Sequence, residues 1–92
     1  LKNNVNQTIN DNLVSEGLYF YNSENYQQCI EKLLEAYKNG YKTGDVLYYL
    51  GRAYDYESDM DNTLRYLREY LSEYPDTEDA EIANQIINGY MN

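Results

Sequence analysis

The chain has no histidine, no tryptophan, one cysteine and one proline. Without histidine the commonest general base and zinc ligand are missing, and a lone cysteine allows neither a disulfide within the chain nor a zinc finger. No apolar run approaches the roughly 20 residues a membrane-crossing helix needs, and the opening Leu1-Lys2-Asn3-Asn4 lacks the apolar core of a signal peptide. It also lacks an initiator methionine, so the chain is expected to be part of a longer protein. Basic residues are scarce as well. Seven of them face 16 acidic ones for a net charge of −9. That field repels phosphate backbones and anionic lipid headgroups, so neither nucleic acid nor direct membrane binding is expected of this segment.

What is present suits a small folded domain. A hydrophobic share of 42% against 25% charged lies above the composition of disordered chains. Yet 92 residues bury only about 60–65% of their unfolded surface, which argues against a large enclosed active site.

The chain repeats itself. One fixed shift carries Gly17 onto Gly51, Leu13 onto Leu47, Phe20 onto Tyr54, Leu33 onto Leu67, and Asp11 onto Asp45 and then Asp79. Apolar residues three and four apart place each copy on one stripe of a helix. A glycine inside a helix costs about 1 kcal/mol relative to alanine, so its recurrence points to a packing role. The missing side chain would allow a second helix to approach closely, with the small Cys29 and Thr63 at the contact.

Breaker and cap residues set the boundaries. Helices are expected over about 10–22, 24–39, 44–57 and 59–73. Gly40 would close the second in a left-handed cap, Thr43 would cap the third, and Ser58 or Asp59 the fourth. Pro75 ends that helix, and Asp76 or Thr77 opens a last one with Ala80, Ala83, Ile86, Ile87 and Tyr90 on one stripe. Upstream, Leu1, Val5, Ile9 and Leu13 recur every four residues and could lengthen the first helix, but the asparagine-rich polarity of residues 2–12 favours a linker.

The first copy, Leu13-x-x-Glu16-Gly17-x-x-Phe20 with Cys29, Leu33 and Ala36, and the second, Leu47-x-x-Leu50-Gly51-x-x-Tyr54 with Thr63, Leu67, Tyr70 and Pro75, resemble the tetratricopeptide repeat (TPR) family. The shift between them matches that family's repeat length of about 34 residues. The likeness covers residues 10–92 in whole or part. It implies an all-α, right-handed solenoid fragment of about five helices: residues 1–9 as linker or helix extension, repeats over 10–43 and 44–77, and a capping helix over 78–92. The last helix departs from the pattern, with Asn84, Gln85 and Asn88 where Leu, Gly and an aromatic are usual, and reads as a solvating end of the stack. The junction Tyr74-Pro75-Asp76-Thr77-Glu78-Asp79-Ala80 looks like those of bacterial cell-envelope members, which leans the expected location that way.

Function then follows from which face is left over. The resemblance implies a binding groove on the inner surface formed by the first helix of each hairpin. Val14, Leu18, Tyr21, Tyr48, Arg52 and Tyr56 share that phase, and Tyr and Arg are the residues most enriched at interaction hot spots. Of the 13 tyrosines, Tyr37, Tyr54, Tyr66 and Tyr70 fall instead on or beside the core stripe. The expected function is protein or peptide binding, to partners with basic flanks, with self-assembly as a homodimer the alternative. No catalytic residue, cofactor or metal site is expected. The stretch Asp55-Tyr56-Glu57-Ser58-Asp59-Met60-Asp61 alternates acids as a calcium loop does, but Met60 stands where that loop needs Gly and Tyr66 where it needs a bidentate Glu. Cys29 is expected to be buried and inert. Asp11, Asp45 and Asp79 read as first-turn acids complementing helix dipoles.

Overall fold

The computed structural model describes residues 2–92, with side chains described from Asn6 onward; Leu1 and the side chain of Val5 lie outside the described residues. Five helices follow one another: α1 (Lys2–Asn22), α2 (Tyr26–Lys38), α3 (Gly44–Tyr56), α4 (Met60–Glu73) and α5 (Glu78–Met91). No strand occurs among the described residues. The architecture is all-α, built from two helical hairpins, α1–α2 and α3–α4. Helix α2 also packs on α3, and α5 packs on α4.

Three of the four connections begin with the same device. Glu24, Gly40 and Ser58 adopt positive φ angles of 60°, 85° and 60°. At each, the next residue's N–H reaches back five positions: Asn25 to the Phe20 carbonyl at 2.8 Å, Tyr41 to Ala36 at 3.0 Å, and Asp59 to Tyr54 at 3.0 Å. This is the Schellman closure, which satisfies carbonyls that a helix end leaves unpaired. Gly40 takes the expected role. Glu24 and Ser58, one repeat apart, do the same without being glycine. The caps then fall one residue later, on Asn25 and Asp59, whose side chains accept from Gln28 and Asn62 N–H at 3.3 and 3.1 Å. Thr43 and Thr77 cap α3 and α5 through Val46 and Ala80 N–H.

Helix α1 begins at Lys2, so the helical reading of the upstream segment holds for the described residues and the linker reading does not. Asparagine is a poor helix former, but its side chain is a good one for bridging. Asn10 is buried and accepts from Asn39 Nδ2 at 2.9 Å, tying α1 to the end of α2. With 21 residues against 13, α1 overhangs its partner by about 12 Å at 1.5 Å per residue.

The core joins Leu13, Cys29, Leu33, Ala36, Val46, Leu47, Leu50, Ala53, Leu67, Ala80 and Ala83 with Tyr48, Tyr66 and Tyr70. Its hairpin contacts explain both glycines. A Cβ on Gly17 would lie 2.6 Å from Leu33 Cδ2, and one on Gly51 would lie 2.6 Å from Leu67 Cγ. The facing leucine lies over the bare backbone and fills the space that the expectation gave to close backbone contact at Cys29 and Thr63. Backbone atoms come near too, with Leu67 N at 3.3 Å and Cys29 O at 3.6 Å.

The acids at the repeat period diverge in use. Asp45 and Asp79 lie in the first turns of α3 and α5, as expected. Asp11 does not, because α1 starts well upstream of it; its carboxylate accepts the Tyr41 hydroxyl proton and pins the α2–α3 connection to α1. Tyr37 donates to Glu69 at 2.9 Å between α2 and α4, and Tyr90 donates to Asp55 between α5 and α3. Tyrosine–carboxylate bonds therefore couple segments far apart in sequence.

Candidate interaction surface

Helix α3 carries the centre of the surface. Its Tyr48, Arg52 and Tyr56 recur every four residues and so stack along one face. Arg52 Nη1 donates to the Tyr48 hydroxyl at 2.7 Å. The guanidinium carbon sits 5.6 Å from the Tyr48 ring centre and 5.8 Å from that of Tyr56, at the distance of cation–π contact. Burial works against the charge on Arg52, but the Tyr48 hydrogen bond and the neighbouring phenols more than offset it and hold the group above its ordinary value.

From α1, Tyr21 meets Tyr56 edge to face at 6.1 Å and Tyr49 at 4.9 Å. Tyr26, the first residue of α2, stacks on Tyr56 at 4.3 Å with the rings 5° from parallel. Tyr49 continues through Tyr48 to Tyr70 and Tyr74, at 5.1, 5.3 and 5.2 Å. These tyrosines form one connected series of rings that runs along α3, from Tyr56 at its end to Tyr70 and Tyr74 beside its start. Desolvation raises the Tyr21 hydroxyl well above the usual phenol range against the opposing pull of Arg52. Burial likewise raises Tyr48 and Tyr49, with the charges of Asp79 and, for Tyr49, Asp45 adding to it.

Of the six residues expected in the groove, Tyr21, Tyr48, Arg52 and Tyr56 come together. Val14 and Leu18 are half-buried on the same side of α1, two turns and one turn before Tyr21 respectively, and Val14 packs on the core. One expectation is corrected: Tyr48 does not turn away from the core stripe. It is 2% exposed and belongs to the core, so it supports the surface rather than forming it. Tyr56 is 54% exposed and gives the accessible edge. Tyr37, Tyr54, Tyr66 and Tyr70 lie in or against the core as expected, Tyr54 and Tyr66 stacked at 5.7 Å.

Three contributors were not read from the sequence. Tyr26 belongs to α2 and joins the face only through contacts between helices, whereas Tyr49 stands three residues before Arg52 and seven before Tyr56 on their own face of α3, a spacing that could have revealed it. The third is the flank of α5: Asp55, Gln85, Ile86, Gly89 and Tyr90 line a cleft of about 270 Å³. Asp55 lies one turn beyond Arg52, so the cleft adjoins the tyrosine face. Ile82, 37% exposed, extends the apolar side of α5.

No family model matches the chain, and no solved structure matches it.

Other features have structural work. Cys29 is fully buried and burial pushes its thiol up to about 12, far from the thiolate that a nucleophile or metal ligand requires. In the acidic stretch, Asp59 caps α4 and Asp55 takes the Tyr90 hydroxyl. Among the described residues no three His, Cys, Asp or Glu side chains converge as a metal would need, and no helix is long and apolar enough to cross a membrane.

Proposed function

We propose that the chain is a TPR-type interaction module that binds a segment of another protein along α1, α3 and α5. The observation that carries this reading is the half-exposed edge of the tyrosine series, Tyr21 and Tyr56 around Arg52, opening beside the cleft at Ile86 and Gly89. Ring faces offer area at little cost in side-chain entropy, and the guanidinium offers directed donors, the combination found at binding hot spots. The internal repeat and its glycine–leucine contacts support the TPR likeness. A net charge of −9 favours partners with basic flanks, whose affinity falls as salt rises.

The test is selection of short displayed peptides against the wild type, followed by affinity measurements on Tyr56→Ala with its melting midpoint checked. A hot-spot aromatic contributes at least about 2 kcal/mol, so the variant binds the selected peptide roughly thirty-fold more weakly. A selected peptide that binds Tyr56→Ala as tightly as wild type overturns the assignment of this face.

A further inference from the structure

Arg52 is placed unlike any other cation among the described residues. Its Nε is buried and has no hydrogen-bond partner among the described residues, where it makes no ion pair either. The ion pair that is present there, Lys32–Glu16 at 3.3 Å, lies at the surface between α1 and α2. This is notable in a protein with 16 acidic residues. The acid one turn along α3, Asp55, already accepts from Tyr90. A guanidinium has about five N–H donors, and those engaged here meet only phenols, Tyr48 at Nη1 with Tyr56 close by. The Tyr48 hydroxyl accepts from Arg52 and so keeps its own proton to give. A half-buried guanidinium without a counter-charge is costly, and an anion brought by a partner can lower that cost.

We infer that Arg52 anchors an aspartate or glutamate side chain of the bound segment. This rests on the peptide-binding reading above and names the group that its centre recognises. A carboxylate presents two oxygens that can take N–H groups from the terminal nitrogens of the guanidinium fork, its accessible side, and so supply the counter-charge that no acid among the described residues gives Arg52. A phosphate monoester would match the fork as well, but it brings close to two negative charges into a field of net −9, with Asp45 and Asp79 already acting on the adjoining tyrosines. The single charge of a carboxylate meets about half that repulsion. A side chain is favoured over a chain terminus because the surface continues past Arg52 toward Ile86 and Gly89, leaving room for the segment to run on and seat an apolar residue there.

The experiment selects peptide libraries, acetylated and amidated at their ends so that no terminal carboxylate is present, against wild type, Arg52→Gln and Arg52→Lys, each confirmed folded by its melt. The wild-type pool is expected to fix one acidic position with an apolar residue within one turn's reach. The Arg52→Gln pool loses that acid, and Arg52→Lys keeps it with weaker binding. For one wild-type peptide, changing its Glu to Gln costs about tenfold or more against wild type and nothing against Arg52→Gln. The Arg52 Nε–H resonance moves on adding the Glu peptide and stays on adding the Gln peptide. Selected peptides without an acidic preference, or an Arg52→Gln pool that keeps it, overturn the inference while leaving peptide binding intact. A phosphotyrosine version that binds more tightly than the glutamate peptide overturns the carboxylate assignment. An empty wild-type selection removes the peptide-binding reading itself.

Discussion

Leu67 lies across Gly51 so closely that a Cβ on the glycine would fall 2.6 Å from Leu67 Cγ, and in the first hairpin Leu33 meets Gly17 in the same way. Both leucines are fully buried, so neither can swing into solvent to make room.

Alanine at these positions gains about 1 kcal/mol of helix propensity but forces a packed leucine aside at a cost of about 1–3 kcal/mol. Gly51→Ala is the worse of the two, because Leu67 N, a backbone atom, stands 3.3 Å away where Gly17 has only Cys29 O at 3.6 Å. Thermal melts are expected to rank wild type above Gly17→Ala and Gly17→Ala above Gly51→Ala. The reverse order of the two variants would contradict the packing account.

Ser58 holds a φ of 60° that a side chain disfavours. Ser58→Gly is expected to raise the melting midpoint, by up to about 1 kcal/mol in stability, and Ser58→Val to lower it by at least as much, since a β-branched residue is the least tolerant of this conformation. The hydroxyl of Ser58 is exposed and its loss carries little penalty.

Alkali is expected to unfold the protein. Tyr21 is raised by burial, Tyr37 by burial and its bond to Glu69, and Tyr41 and Tyr90 first by their bonds to Asp11 and Asp55. A folded value above the unfolded one means the neutral phenol is favoured by folding. That contribution is fully present below the unfolded value of about 10 and is lost as pH rises through the folded values. Helicity is therefore flat through neutral pH and falls above about pH 10, with phenolate absorbance appearing together with the unfolding. Free, independent titration of all 13 tyrosines without loss of helix would contradict it.

Arg52→Met is expected to change stability by no more than about 1 kcal/mol, because relief of the half-buried charge and its unpaired Nε offsets the lost Tyr48 hydrogen bond and ring contacts, and methionine still fills much of the space. A drop of more than about 1 kcal/mol would mean that Arg52 is there for the fold.

The internal repeat made the hairpins, the glycines and most helix ends legible, because each copy restates a local rule of spacing or capping. Where the reading failed, the answer lay in contacts between helices. The asparagines upstream of Leu13 look like linker by propensity, yet Asn10 is held by Asn39 from beyond the end of another helix. Asp11 resembles a first-turn acid only if α1 starts near it. Tyr48 carries the phase of the groove and still belongs to the core, because the adjoining Tyr70 and Tyr49 cover it. Tyr26 gives no periodic signal, since it is the first residue of α2 and meets Tyr56, the last of α3, where the two helices pack side by side.

The central claim is that a partner segment lies along α1, α3 and α5, and amide chemical-shift mapping with a selected peptide tests it most directly. The account predicts that the largest shifts fall on Leu18, Tyr21, Arg52, Tyr56 and Ile86, with the outer face of α2 at Glu31, Leu34, Glu35 and Lys38 unmoved. Shifts concentrated on that outer face, with Arg52 and Tyr56 unchanged at saturation, would contradict it.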